Sequence, residues 1–174
     1  MDDGLTHEAS AFLNFRHYAR DPKEHGFRWV DVKHLHGAAR SLPPRDEELL
    51  ASLIAHEQFR DDYAGGGVDP DGIRHGPYWL RLITPDAYEP VSRETAARIL
   101  AEWVDPQWDP PAALRDDLRR EVFDRLAAAD AVHHLVEFGD EALHDWGGVH
   151  GEFHEFVLVD RAAARVTLLV AADD

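Results

Sequence analysis

The sequence contains no cysteine and no long apolar run, and both absences narrow the classes of protein that it can encode. Without cysteine there are no disulfides, cysteine nucleophiles, thiolate zinc sites or iron–sulfur ligands. No stretch approaches the roughly 18 apolar residues of a membrane-spanning helix, and the acidic start lacks the basic and apolar regions of a secretory signal. We therefore expect a soluble, cytoplasmic protein that does not act at a membrane.

Basic residues are scarce as well. The chain has 18 lysines and arginines against 34 aspartates and glutamates, which gives a formal net charge of −16. A polyanion repels phosphate backbones, and no basic patch with interleaved aromatics offsets this charge, so we expect no binding to nucleic acid. A well-solvated acidic surface is one interpretation of the charge. The other is that this surface attracts a basic protein partner, such as a nuclease toxin.

The apolar spacing predicts one α+β domain over residues 1–174. About four helices are expected, at roughly 6–20, 44–63, 92–104 and around the four-residue repeat Leu114, Leu118, Val122 and Leu126. About five strands are expected, at 27–36, 78–84, 132–138, 153–159 and 166–171. Because several strands are hairpin-like, the sheet should be largely antiparallel and end in a C-terminal β-hairpin. Both faces of residues 156–159 are apolar, which predicts a central strand.

The stretch from His144 to His154 carries the pattern most suggestive of chemistry. Interpreted as a strand from Val149, it places His150, Glu152 and His154 on one face. Imidazole and carboxylate ligands suit zinc or iron with an open position for water or substrate. His144, His150, Glu152 and His154 are therefore a candidate metal site, although histidines beside glycines also serve as hydrogen-bonding loop residues.

Another histidine pair is a candidate addition to this site. His34 and His36 share one face of the predicted strand 27–36. They can contribute ligands only if that strand lies beside the one carrying His154. A strand end that emerges into solvent before Gly37 is the favoured explanation of the pair.

No complete catalytic motif is present, so the sequence leaves open whether the protein is an enzyme. The four serines, Ser10, Ser41, Ser52 and Ser92, stand in no nucleophile-elbow context. The long loop 64–77 makes Arg74 and His75 candidate binding residues, because long loops in small domains are often functional. Trp146 lies in a glycine-flanked loop, where it is either an interface anchor or ordinary packing.

Two hypotheses of different class follow from these patterns. The first is a non-catalytic binding protein of the immunity, antitoxin or accessory type, which holds a basic protein partner through its acidic surface. The second is a small metal-dependent enzyme or metal-binding protein built on the strip from His150 to His154. The charge and the missing catalytic motif favour the first.

Overall fold

An antiparallel sheet forms the centre of the fold. The computed structural model describes residues 4–18, 21, 23 and 25–174. Its strands are β1 (Leu5–Asn14), β2 (Arg28–Gly37), β3 (Arg74–His75), β4 (Tyr78–Trp79), β5 (Tyr88–Val91), β6 (Ala131–Leu135), β7 (Phe153–Asp160) and β8 (Arg165–Asp173). Six of them form one sheet in the order β1-β2-β8-β7-β6-β5, and β3 pairs with β4 in a separate hairpin.

Three helices pack on this sheet. They are α1 (Asp46–Ala55), α2 (Arg93–Val104) and a continuous third helix made of α3 (Ala112–Leu118), a π-helical segment (Arg119–Phe123) and α4 (Asp124–Ala128). Ser92 caps α2, because its side chain accepts a hydrogen bond from the Thr95 amide at 3.0 Å. The prediction of about four helices on about five strands is therefore wrong. The described chain has three helices on a six-stranded sheet and a further two-stranded sheet, so it is mostly sheet.

The first predicted helix, over residues 6–20, is the main error. Ala9, Phe12 and Leu13 have helical spacing, yet the segment is β1, paired with β2 from Leu5↔Gly37 to Asn14↔Trp29. This pairing buries Leu5 and Leu13 in two different clusters, and such tertiary contacts override local spacing. The predicted end of this helix at residue 20 lies outside the described residues.

Three other elements end earlier than predicted, and one strand was missed. The strand predicted at 132–138 is β6, which ends at Leu135. The helix predicted at 44–63 is α1, which ends at Ala55. It ends there because His56 is extended (φ −73°, ψ 144°) and its side chain caps a short 3₁₀ turn. The strand predicted at 78–84 ends at Trp79 and continues as a 3₁₀ turn. The missed element is β5, for which no strand was predicted; its Pro90 is tolerated because β5 is an edge strand.

The sheet separates two apolar layers. Val30, Val32, Phe156 and Leu169 belong to the cluster beneath α2 and the third helix. On the opposite face, a second cluster joins β2, β7 and β8 to α1 and the loops; it includes Leu35, Leu49, Leu53, Phe59, Val157 and Leu168. The prediction of a central strand at 156–159 is confirmed, since β7 lies between β8 and β6 and these residues are buried.

Candidate functional site

A cavity opens where two strands of the sheet part. The pairing of β6 with β7 ends at His134↔Phe156, and β6 continues its ladder only with β5. The residues beyond this point line a cavity of about 370 Å³, which we call the acidic cavity. Its lining includes His134, Leu135, Val136, Glu137, Phe138, Asp140, Leu143, Gly147, Gly148, His150, Glu152, Phe153, His154 and Glu155, together with Pro77 and Tyr78.

The charge of this cavity has one sign. Glu137, Asp140 and Glu152 are exposed carboxylates at its wall, and no lysine or arginine occurs among the described residues that line it. Tyr78 and Phe138 supply an aromatic wall, with their ring centroids 4.7 Å apart. A cavity lined by both carboxylates and aromatic rings is chemically suited to a cation that also has an apolar or planar part.

Two histidines lie among these carboxylates. The Nε2 atom of His154 is 2.9 Å from Oε2 of Glu152, so the two side chains form a hydrogen-bonded pair. The ring of His134 lies flat against Phe156, with centroids 4.5 Å apart and planes inclined by 9°. Burial lowers the pKa of His134 below its usual value, and the neighbouring His154 lowers it further. The His134 imidazole is therefore neutral at pH 7.

The fourth carboxylate of the lining, Glu155, is already fully engaged. It is 1% exposed and receives hydrogen bonds from the Tyr88 hydroxyl at 2.5 Å and from Nε2 of His75. The other nitrogen of His75 donates to the Phe59 carbonyl at 2.5 Å, and its ring stacks on Phe59. Burial raises the pKa of Tyr88 well above 10, so it stays a donor. Glu155 thus holds the segment that carries Phe59 and His75 on the sheet, and its carboxylate is not available to a ligand.

A second buried ion pair fixes residues 61–63, which lie between Phe59 and His75 in the chain. Lys33 on β2 is 3% exposed, and its Nζ donates to Asp61 Oδ2 at 2.8 Å and to the Tyr63 hydroxyl at 3.2 Å. Asp31 lies 3.6 Å from the same Nζ; burial raises the pKa of Asp31, and the Lys33 charge opposes that rise. Because a buried charge needs a partner, Lys33 fixes the position of residues 61–63.

Imidazoles also fix the loop that borders the cavity. Nε2 of His144 donates to the Gly76 carbonyl at 2.5 Å, while Nδ1 accepts the Trp146 amide at 2.9 Å. This pattern requires a neutral ring with its proton on Nε2. His150 is buried, and its Nε2 donates to the Asp62 carbonyl at 3.0 Å. Both histidines therefore clamp residues 144–150 onto the neighbouring loop and the β3–β4 hairpin.

The stability of the protein should fall as the pH is lowered through about 6.5, because the unfolded chain then binds protons that the folded chain excludes. Burial lowers the pKa values of His34, His56, His134 and His144 from a usual 6.5. Their contribution is complete above pH 6.5 and is lost as the pH falls toward each lowered value. Urea unfolding from about pH 7.5 to 5 measures this slope.

Two variants show how much of that pH dependence comes from His144. His144→Gln should flatten the pH dependence of the unfolding free energy, since it removes an imidazole whose pKa is lowered by burial. His17→Gln, at an exposed position in a 3₁₀ turn, is the matched control and should leave the slope unchanged. Equal slopes in the wild type and His144→Gln would contradict the assignment.

The four predicted metal ligands do not converge. His150 lies in a loop, because β7 begins only at Phe153, so the predicted strand from Val149 is wrong at its start. Glu152 and His154 pair with each other, whereas His144 and His150 each donate to a backbone carbonyl. Within the part of the chain that the structure describes, no three His, Asp or Glu side chains are arranged to hold a metal ion.

The second histidine pair lies away from this region. His34 is paired with Thr167 of β8, and Thr167 is paired in turn with Leu158 of β7, four positions beyond His154. Nδ1 of His34 is 2.9 Å from the Thr167 hydroxyl, and Nδ1 of His36 is 3.3 Å from the Gly37 carbonyl. The structure therefore does not bring His34 or His36 to His154.

The zinc or iron site stays a prediction with a direct test. If the site exists, protein purified without an affinity tag should carry near-stoichiometric metal by elemental analysis, and His154→Ala should abolish metal binding. Glu94→Ala, on the surface of α2, is a control that should keep it. Metal-free protein that cannot be loaded with zinc or iron would remove the prediction.

The three predicted binding residues have different surroundings. Arg74 pairs with Asp145 at 3.4 Å. His75 is completely buried and contacts no solvent. Trp146 is 57% exposed on the loop that borders the acidic cavity. Of the three, Trp146 is thus the most accessible to a partner and His75 has a structural position.

Sequence reasoning missed most of the polar residues that organise this region. Glu137 lies near the end of the predicted strand 132–138 and Asp140 just beyond it, and neither gives a local signal. Glu155 does give one: it shares a strand face with Phe153, Val157 and Val159, and a carboxylate in a buried apolar run needs a buried partner. That partner, His75, is 80 residues away in the sequence and is found only from the structure.

Comparison with known proteins gives little further information. No family model and no curated protein matches this sequence. The crystal structure of citrus MAF1 is similar over 91% of this chain and 94% of that chain, with 12% sequence identity and a TM-score of 0.37. A likeness this weak supports no functional argument.

No helix in the described residues has both the length and the apolar character needed to cross a membrane.

Proposed function

We propose that this protein is a non-catalytic binding protein for a basic protein partner, and that the acidic cavity receives a lysine or arginine side chain of that partner. The observation that carries the proposal is the lining of the cavity, where Glu137, Asp140 and Glu152 face no lysine or arginine among the described residues. The net charge of −16 acts in the same direction at longer range and speeds encounter with a cationic protein.

The walls favour arginine over lysine. A guanidinium is planar and weakly hydrated, so it stacks on aromatic rings while it donates to carboxylates. Tyr78, Phe138 and Phe153 supply rings beside the carboxylates. The volume of about 370 Å³ accommodates one long side chain with a few waters of about 30 Å³ each.

The rim of the cavity supplies apolar contact. Trp146 and Val149 are 57% and 49% exposed, and Gly147 and Gly148 between them line the cavity. Exposed tryptophans at the edge of a polar cavity are frequent interface anchors. Because His144 and His150 clamp this loop, the rim is held in place before a partner arrives, which reduces the ordering cost of association.

A peptide pair tests whether the cavity recognises a cationic side chain. The probe is Gly-Ser-Arg-Ser-Gly, and its control carries citrulline, the neutral isostere of arginine. In an NMR titration of the ¹⁵N-labelled protein, only the arginine peptide should shift the amides of Glu137, Gly148 and Glu152. Equal shifts with the citrulline peptide, or shifts confined to other surfaces, would contradict the proposal.

Charge-matched variants identify the carboxylates responsible. Glu137→Gln, Asp140→Asn and Glu152→Gln combined should weaken arginine-peptide binding about tenfold, since each exposed ion pair contributes about 0.2–1 kcal/mol. The control combines Glu47→Gln, Glu57→Gln and Glu94→Gln, three exposed positions on other elements. It removes the same charge and should change the affinity less than about twofold. Equal losses in the two triple variants would show only non-specific attraction.

A further inference from the structure

Next to the β3–β4 hairpin lies a second cleft, whose charge is opposite to that of the acidic cavity and which we call the cationic cleft. It has a volume of about 640 Å³, within the range of small-molecule sites. Its lining consists of Arg60, Asp71, Gly72, Ile73, Trp79, Leu80 and Arg81. Two arginines against one aspartate make this lining locally positive on a protein whose net charge is −16.

The two arginines of the cationic cleft are not neutralised by carboxylates. Arg81 is exposed and forms no ion pair with any residue that the structure describes; its guanidinium carbon lies 5.6 Å from the centre of the Trp79 ring. Arg60 donates to the Pro70 carbonyl at 2.8 Å through Nη1 and forms no ion pair with any residue that the structure describes. Both guanidiniums therefore keep donors for an external acceptor.

The apolar part of the cleft is already exposed to water. Ile73 is 61% exposed, and the Trp79 ring, against which Arg74 also lies at 5.6 Å, forms part of the lining. The main chain behind them is fixed, because the Leu80 amide donates to the Ile73 carbonyl at 2.9 Å. A ligand that covers Ile73 and Trp79 removes apolar surface from water, and this favours binding.

We infer that the cationic cleft binds a small amphipathic carboxylate, with its apolar or aromatic body against Ile73 and Trp79 and its carboxylate on Arg60 and Arg81. A carboxylate matches the planar donors of a guanidinium, which bind it through two parallel hydrogen bonds. One negative charge balances the lining, which contains two arginines and one aspartate. This site is independent of the acidic cavity, which takes a group of the opposite charge.

The test uses 1-naphthoate and its neutral analogue 1-naphthamide, titrated into the ¹⁵N-labelled protein. Naphthoate should shift the indole N–H of Trp79, assigned by its loss in Trp79→Phe, and should bind at least about tenfold more tightly than the amide. Arg81→Gln should weaken naphthoate binding about tenfold and leave the amide unchanged. Arg98→Gln, at an exposed position on α2, is the control and should change neither.

The outcomes separate the proposal from simple hydrophobic binding. Ile73→Ser should weaken both probes, because it removes the shared apolar wall at an exposed position that folding does not need. Equal affinity for naphthoate and naphthamide, or naphthoate binding that is unaffected by Arg81→Gln, would overturn the inference. Shifts confined to the acidic cavity would overturn it as well.

Discussion

Replacing Glu155 with alanine should lower the free energy of unfolding by about 3–5 kcal/mol, the loss typical of breaking a buried ion pair by removing one partner. The Glu155 carboxylate is 1% exposed and accepts from both His75 and Tyr88. Its removal leaves the fully buried His75 ring and the Tyr88 hydroxyl without their acceptor, and a water molecule in its place would not restore the lost free energy in full. Urea unfolding followed by tryptophan fluorescence at pH 7 measures the loss.

Glu152→Ala is the matched control for this prediction. Glu152 lies three positions earlier and also pairs with a histidine, His154, but it is exposed. Its loss should cost less than about 1 kcal/mol. The double variant Glu155→Met with His75→Leu should be more stable than the sum of the two single changes, since it removes both members of the pair. Additive effects would contradict a direct His75–Glu155 interaction.

Phe156→Ala should destabilise the protein by a similar amount, about 3–5 kcal/mol, through the cavity it leaves in the centre of the sheet. Phe156 is fully buried on β7, where it contacts the His134 ring and belongs to the cluster beneath α2 and the third helix. Neighbouring side chains on a paired sheet cannot move far enough to fill this space. Phe156→Leu keeps most of the volume and should cost about 1–1.5 kcal/mol.

The chain offers an exposed phenylalanine as the control. Phe12 on β1 is 55% exposed, with its ring 5.8 Å from Trp29. Phe12→Ala removes the same atoms and should cost less than about 1 kcal/mol, because most of that surface is already in water. Denaturant midpoints of the two alanine variants give the comparison directly. A Phe156→Ala loss no larger than that of Phe12→Ala would contradict the central position of β7.

Elements that depend on local pattern were predicted from the sequence, and those that depend on distant partners were not. The continuous apolar run of residues 156–159 predicted a buried strand because both faces are apolar, and that strand is part of β7. Residues 6–20 have the spacing of a helix, but residues 6–14 pair with β2 as part of strand β1. Nothing local to residues 5–14 reports that β2 is available as a partner.

In the candidate site, too, local patterns were visible in the sequence and distant partners were not. The sequence drew attention to the loop that borders the acidic cavity, since its histidines and glycines are adjacent in the chain. It assigned His144 and His150 to a metal, whereas in the structure their Nε2 atoms donate to the carbonyls of Gly76 and Asp62. Those carbonyls are 68 and 88 residues away, so no spacing rule identifies them. Glu137 and Asp140 meet Glu152 only because β6 and β7 part at His134.

The strand order has a consequence for biosynthesis. Strand β2 obtains its second neighbour from β8, and the ribosome must add more than one hundred residues between Gly37 and Arg165. At about 5–20 residues per second, the β1–β2 hairpin waits on the order of ten seconds with one edge unpaired. Val32 and Leu35, which are fully buried in the finished fold, are uncovered during that interval. During synthesis the chain therefore exposes an unpaired, apolar strand edge, the feature of partly folded β-proteins that is most prone to aggregation.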